Sequence, residues 1–183
     1  MTLALTLGLR FGLAKTLWMM LGELVGVGTV VILSAVGVAT LLLANPWLFD
    51  ILRYGGGCYL VYLGYQMWLS KGNLALTTDS AATMRFSRRS LITQGFTTAI
   101  ANPKGWAFFI ALLPPFLDPD KALAGQLIVF TALILSLEFC CLLIYASGGR
   151  ALAHYLKDPK HQRTLNRGSG TLLACVGVWL MLS

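Results

Sequence analysis

TAIANPKGWAFFIALLPPF, residues 98–116, is as apolar as a membrane helix, yet Asn102-Pro103-Lys104 stands in its middle. Proline removes a backbone donor and clashes with the preceding turn, so it breaks a helix from within. Lysine is among the costliest residues to place in hydrocarbon. A helix that carries both at its centre is divided into two halves, with backbone groups left open between them. Such groups are tolerated at membrane depth only where they line a cavity or are buried in protein.

The rest of the chain sets that stretch in a bilayer. Of 183 residues, 57% are hydrophobic and 11% charged, with a mean hydropathy of +0.74. A soluble domain carries about 25% charged residues. Hydropathy predicts an all-α polytopic bundle with spans at about 16–44, 47–69, 91–113, 122–147 and 168–183, in one integral membrane domain over 1–183. Residues 1–15 are too short to span before Arg10 and Lys15, and the long apolar run after Lys15 does not read as a signal peptide.

The formal charge of +7 would point to nucleic acid in a soluble protein. Here the basic residues gather in alternate connections, which speaks against nucleic acid and for membrane orientation. Lys71, Arg85, Arg88 and Arg89 lie between the second and third spans. Arg150, Lys157, Lys160, Arg163 and Arg167 lie between the fourth and fifth. The turn LDPDK at 117–121 is net acidic. The basic connections are therefore expected in the cytoplasm of a multi-pass inner-membrane protein, with the C-terminus outside.

Glu23 and Glu138 join Lys104 as ionisable residues placed inside apolar helices. Such residues mark substrate or proton pathways, or pair with a neighbour and serve packing alone. The half-helix after Asn102 starts with Pro103, a favoured first position. Its free N–H groups and positive dipole end suit a carboxylate, and Lys104 adds a full positive charge. Glu23 or Glu138 suits an ammonium group or a coupling proton. Asn102, Pro103, Lys104, Glu23 and Glu138 are thus the candidate substrate site, with the two glutamates the proton-coupling candidates. Together they fit a zwitterion. Discontinuous helices of this kind hold substrates in many secondary transporters.

Cys58, Cys140, Cys141 and Cys175 form no C-x-x-C pair and read as small buried apolar residues. His154 and His161 lie in a basic loop that supplies no set of acidic or thiol ligands, so no metal and no cofactor is expected. A membrane enzyme or thiol carrier would need a Ser/His or Cys pair, for which adjacent Cys140-Cys141 is poor material. Gly22 and Gly26 form a G-x-x-x-G, and Gly55-Gly56-Gly57 opens the second span; both allow close helix approach.

Several blocks resemble the LysE/RhtB amino-acid exporters. GGGCYLVYLGYQMWLS (55–70) is similar to the family's G-x-x-YL-x-YLG-x-x-x-W/R stretch, and ANPKGWAFFIALLPPF (101–116) to its NPK-x-x-x-FF-x-x-x-x-PQF block. GLRFGL (8–13) and LGELVG (21–26) resemble its G-x-R-x-G and G-x-x-x-G segments. The resemblance implies export of amino acids or their derivatives by proton antiport, on six helices arranged as two inverted halves. Two departures stand out. The family's PQF is Pro114-Pro115-Phe116 here, and the first helix with its S-P-G-P turn would lie upstream of the position that Met1 matches. By that resemblance the start is downstream of the family's, and a helix face left open would favour homo-oligomers. Export of a different solute such as a cation, or a non-transporting subunit, are the alternatives.

Overall fold

Local chemistry sets where each helix begins. In the computed structural model, which describes residues 2–45, 47–70, 87–118, 121–148 and 158–182, every regular element is helical. The helices are α1 (Thr2–Phe11), α2 (Leu13–Ala44), α3 (Leu48–Leu69), α4 (Arg88–Ile100), α5 (Pro103–Leu112), α6 (Leu123–Ser147) and α7 (Pro159–Leu182). Ser87 caps α4, its Oγ accepting from the Ser90 N–H at 3.1 Å. Asp158 caps α7, its carboxylate accepting from the Lys160 N–H at 2.8 Å, with Pro159 at the first helical position.

The five expected spans correspond to α2, α3, the α4–α5 pair, α6 and α7. Leu13–Leu41, Leu123–Ser147 and Pro159–Leu182 are long and apolar enough to cross a membrane by length and composition. The last span differs most from expectation. Hydropathy starts it at 168, whereas the helix starts at Pro159. The intervening PKHQRTLNR is polar but helical, so hydropathy located the apolar part of the helix and the Asp158 cap its true beginning.

Within the first fifteen residues, expected not to span, Thr2–Phe11 form the ten-residue α1 and Leu13 to Lys15 already belong to α2. Ala4 and Leu5 are completely buried against α2 and α6. Gly12, at φ 75°, makes the turn from α1 into α2 in the left-handed region that favours glycine.

Two close crossings organise the bundle. On α2, Gly22 lies against the Ile92 backbone of α4, and on α4, Gly95 lies against the backbone of Met19 and Glu23. A side chain at either glycine would collide with main chain. The other crossing joins α3 to α7, which run antiparallel with Gly64 facing Gly170 and Gly57 facing Gly177. Arg53 of α3 closes the far end of that pair. Its Nε and Nη2 donate to the carbonyls of Leu180 and Met181 at 3.1 Å each, placing a cation on the C-terminus of α7 where dipole and free carbonyls favour it.

Helix α5 lies between these two groups and touches both α2 and α3. Phe109 and Leu113 pack with Val30, Val31 and Ala35 of α2, while Ala111 packs with Leu60 and Leu180. Phe108 borders both clusters.

The cysteines depart from expectation. All are free, and Cys58, Cys140 and Cys175 are exposed rather than buried. In a bilayer the outward face of a helix is itself apolar, so a small apolar residue gains nothing by turning inward. Lys71, Asp79, Arg85, Asp120, Arg150, His154 and Lys157, together with the Arg10 side chain, lie outside the described residues.

Candidate functional site

The break falls where the sequence places it. Helix α4 ends at Ile100 and α5 begins at Pro103, dividing the span into pieces of 13 and 10 residues. Asn102 is the N-cap of α5. Its Oδ1 accepts from the Lys104 N–H at 3.2 Å, and its carbonyl accepts from Gly105 and Trp106 at 3.1 and 3.4 Å. The Trp106 indole donates back across the break to the Ile100 carbonyl at 2.8 Å. That bond satisfies an acceptor which α4 would otherwise leave open. The break is therefore a built feature, held by Asn102 on one side and Trp106 on the other.

Asn102, Pro103 and Lys104 are exposed, and Lys104 makes no ion pair among the described residues. The site brings the positive end of α5 and one ammonium group to the surface of the break. Both favour an anion.

The two glutamates are brought together by the packing of α2 and α6. These helices run antiparallel, with Gly28 facing Leu135 and Met19 and Met20 clustered with Leu142. That register sets Glu23 and Glu138 at about one level. Glu23 is 7% exposed; Glu138 is half-buried and lies in the field of the Glu23 charge. Gly95 approaches the Glu23 backbone from α4, so the same crossing that packs α2 on α4 fixes the depth of this carboxylate. Lys104 is held on a different element and is not paired with either glutamate.

Two residues with no individual signal in the sequence emerge here. Eleven serine and threonine hydroxyls, among them Thr29, Thr40, Thr97, Ser136 and Ser147, donate to the carbonyl three or four residues earlier in the chain. Ser34 Oγ of α2 and Thr131 Oγ1 of α6 do not. Both oxygens are buried with no hydrogen-bond partner among the described residues. A buried unpaired hydroxyl costs about 1–3 kcal/mol and calls for an explanation. Ser34 adjoins Ala35 of the cluster that also contains Phe109 and Leu113, and Thr131 follows Phe130 of the same cluster. Ser34 thus lies on the part of α2 that packs with the second half-helix, and Thr131 on the part of α6 that borders the same cluster. Only the choice of rotamer against the usual back-bond distinguishes them, and no spacing rule reveals that.

An all-helical bundle of long apolar helices, with a capped break and carboxylates held inside it, defines a multi-pass membrane protein of transporter type. The match to known proteins is more specific. The profile of the LysE type translocator family matches residues 1–183, and the chain belongs to that family. It is 30% identical over 155 residues to a homoserine/homoserine lactone efflux protein of Salmonella typhimurium, an alignment covering 85% of this chain and 74% of that one. It is 27% identical over 156 residues to a leucine efflux protein of Klebsiella pneumoniae, covering 84% and 72%. A Vibrio cholerae membrane protein is 25% identical over 173 residues, covering 94% and 83%. No solved structure matches the chain.

Proposed function

We propose that this translocator exports amino acids or close derivatives from the cytoplasm across the bacterial inner membrane by proton antiport, as one domain over residues 1–183 with its C-terminus outside. The observation that carries this reading is the capped break at Asn102. It leaves the N-terminal end of α5 and the Lys104 ammonium open toward a substrate carboxylate. Asn102 and Pro103 hold the end in place, and Lys104 supplies the charge. Glu23 and Glu138, held at about one level by the α2–α6 register, carry the proton, or meet the substrate ammonium when ionised. Ser34 and Thr131 offer hydroxyls to substrate or water. The efflux names of the Salmonella and Klebsiella relatives support homoserine and leucine as the first substrates to try.

The test is efflux from proteoliposomes preloaded with labelled homoserine or leucine under an imposed pH gradient. Lys104→Ala is expected to lower efflux about tenfold or more, the weight of one charge-assisted hydrogen bond. Glu23→Gln and Glu138→Gln are expected to abolish the response to the pH gradient while substrate exchange at equal pH persists. Unchanged efflux in Lys104→Ala would remove the break from the site. Gradient-driven efflux surviving in both glutamine variants would remove the coupling role.

A further inference from the structure

A groove of about 610 Å³ runs along the α3–α7 pair, with no residue of the break in its lining. It exists because the helices cross on glycine. Gly64, Gly170 and Ala174 form a floor without large side chains, and Tyr65, Trp68 and Trp179 stand as walls. Along α7 the lining runs from Gly170 to Leu182, roughly 18 Å at 1.5 Å per residue. That is about the depth of one leaflet of a ~30 Å hydrocarbon core.

One end of the groove is basic. Lys160, Arg163 and Arg167 are exposed and fall within roughly 60° of one another at 3.6 residues per turn, on the same side of α7 as Ala174 and Val178. Asp158, the acidic residue nearest in sequence, falls on the opposite side of the helix and holds its N-cap. The face that is apolar over its last three turns is therefore cationic over its first two. The junction is fixed rather than loose. The Trp68 indole donates to Thr171 Oγ1 at 2.9 Å, Asn166 Nδ2 donates to Ser70 Oγ at 3.2 Å, and the Arg167 guanidinium lies 4.9 Å over the Trp68 ring. A tryptophan with an arginine at the end of an apolar stretch is how membrane proteins meet the headgroup layer.

We infer that this groove is a binding site for an anionic phospholipid, with an acyl chain lying over Gly64, Gly170 and Ala174 and the phosphate held by Arg163 and Arg167. Length, apolar lining and a basic end each match one part of that molecule. A neutral lipid would leave the cationic stripe unanswered, and a free anion would leave the groove empty.

The test uses the full chain in phosphatidylcholine vesicles containing brominated phosphatidylglycerol or brominated phosphatidylcholine at equal mole fraction, with tryptophan fluorescence as the readout. The expected result is stronger quenching of Trp68 and Trp179 by the brominated phosphatidylglycerol. That preference should disappear when both tryptophans are replaced by phenylalanine. Arg163→Gln and Arg167→Gln should each weaken it roughly fivefold. Ala174→Phe, which fills the floor and leaves the charges in place, should reduce quenching by both lipids and serves should the arginine variants misfold. Equal quenching by the two lipids, or a preference that survives the double arginine variant, would overturn the proposal. A bismaleimide cross-link through Cys175 in a background where Cys58, Cys140 and Cys141 are serine, formed regardless of lipid, would assign the groove to a second copy instead.

Discussion

Ser34 separates function from stability in a way few residues here allow. A buried residue normally loses both when truncated, because its contacts and its hydrogen bonds disappear together. Ser34 Oγ has no partner among the described residues, so Ser34→Ala removes an unsatisfied group and almost no volume. Thermal unfolding in detergent should be unchanged or raised by about 1 kcal/mol. On the proposed reading efflux should fall all the same, because the hydroxyl would then meet substrate or water. Thr131→Val, a close match in shape, should behave alike. A stability loss in either variant would show that the hydroxyl has a structural partner. Full efflux in both would remove them from the path. Neither residue could be picked from sequence, since other helical hydroxyls in the chain have the same composition of neighbours and simply back-bond. Asn102, Pro103 and Lys104 were legible because their chemistry conflicts with an apolar helix wherever it packs. Glu23 and Glu138 were legible as charges out of place. That the two lie at one level depended on the α2–α6 register, which sequence does not give.

At the scale of the elements, helix bounds were read to within a few residues except at the polar start of α7, and the connections were not. Pro114–Phe116, where the family pattern has a glutamine, forms a short 3-10 turn, and a different glutamine closes the connection from that turn into α6. Gln126 of α6 accepts from the Asp118 N–H at 2.7 Å, and its Nε2 donates to the carbonyls of Asp118 at 2.8 Å and Lys121 at 3.1 Å. Lys121 also meets Asp118 at 2.8 Å, and that carboxylate holds the ammonium pKa above the ordinary lysine value, mainly through the hydrogen bond between them. A raised folded pKa means the contribution is complete below the unfolded value and is lost as pH rises through the folded one. The lysine is fully exposed, so solvent screening leaves the pair little weight. The amide should therefore dominate the turn. Gln126→Ala is expected to cost about 1–3 kcal/mol, because it leaves three backbone groups to find other partners. Lys121→Ala should leave the melting temperature where it is. The reverse order would show that the turn is held by charge.

At the scale of the molecule, the described helices form two groups, α1, α2, α4 and α6 in one and α3 and α7 in the other, with α5 touching both. The half-helix that starts at the break is therefore also the element shared by both groups. On the proposed transport reading, rotation of one group against the other would turn chiefly on α5, with the break at Asn102 as the place where α5 changes its angle to α4. Substrate bound at that end would then report directly on the relative position of the two groups, which is what alternating access requires. The contact to perturb is Gly56 of α3, whose missing side chain leaves room for the Ala111 backbone of α5. Gly56→Val would push α5 off α3 while leaving the Gly64–Gly170 and Gly22–Ile92 approaches intact. Helical content and expression should remain near those of the unchanged chain, and substrate should still bind at the break. Efflux should fall by at least about tenfold, equivalent to roughly 1.4 kcal/mol in the conformational step. If α5 is only a packing element, Gly56→Val would lower stability and binding together, and measuring bound homoserine beside its efflux distinguishes the two.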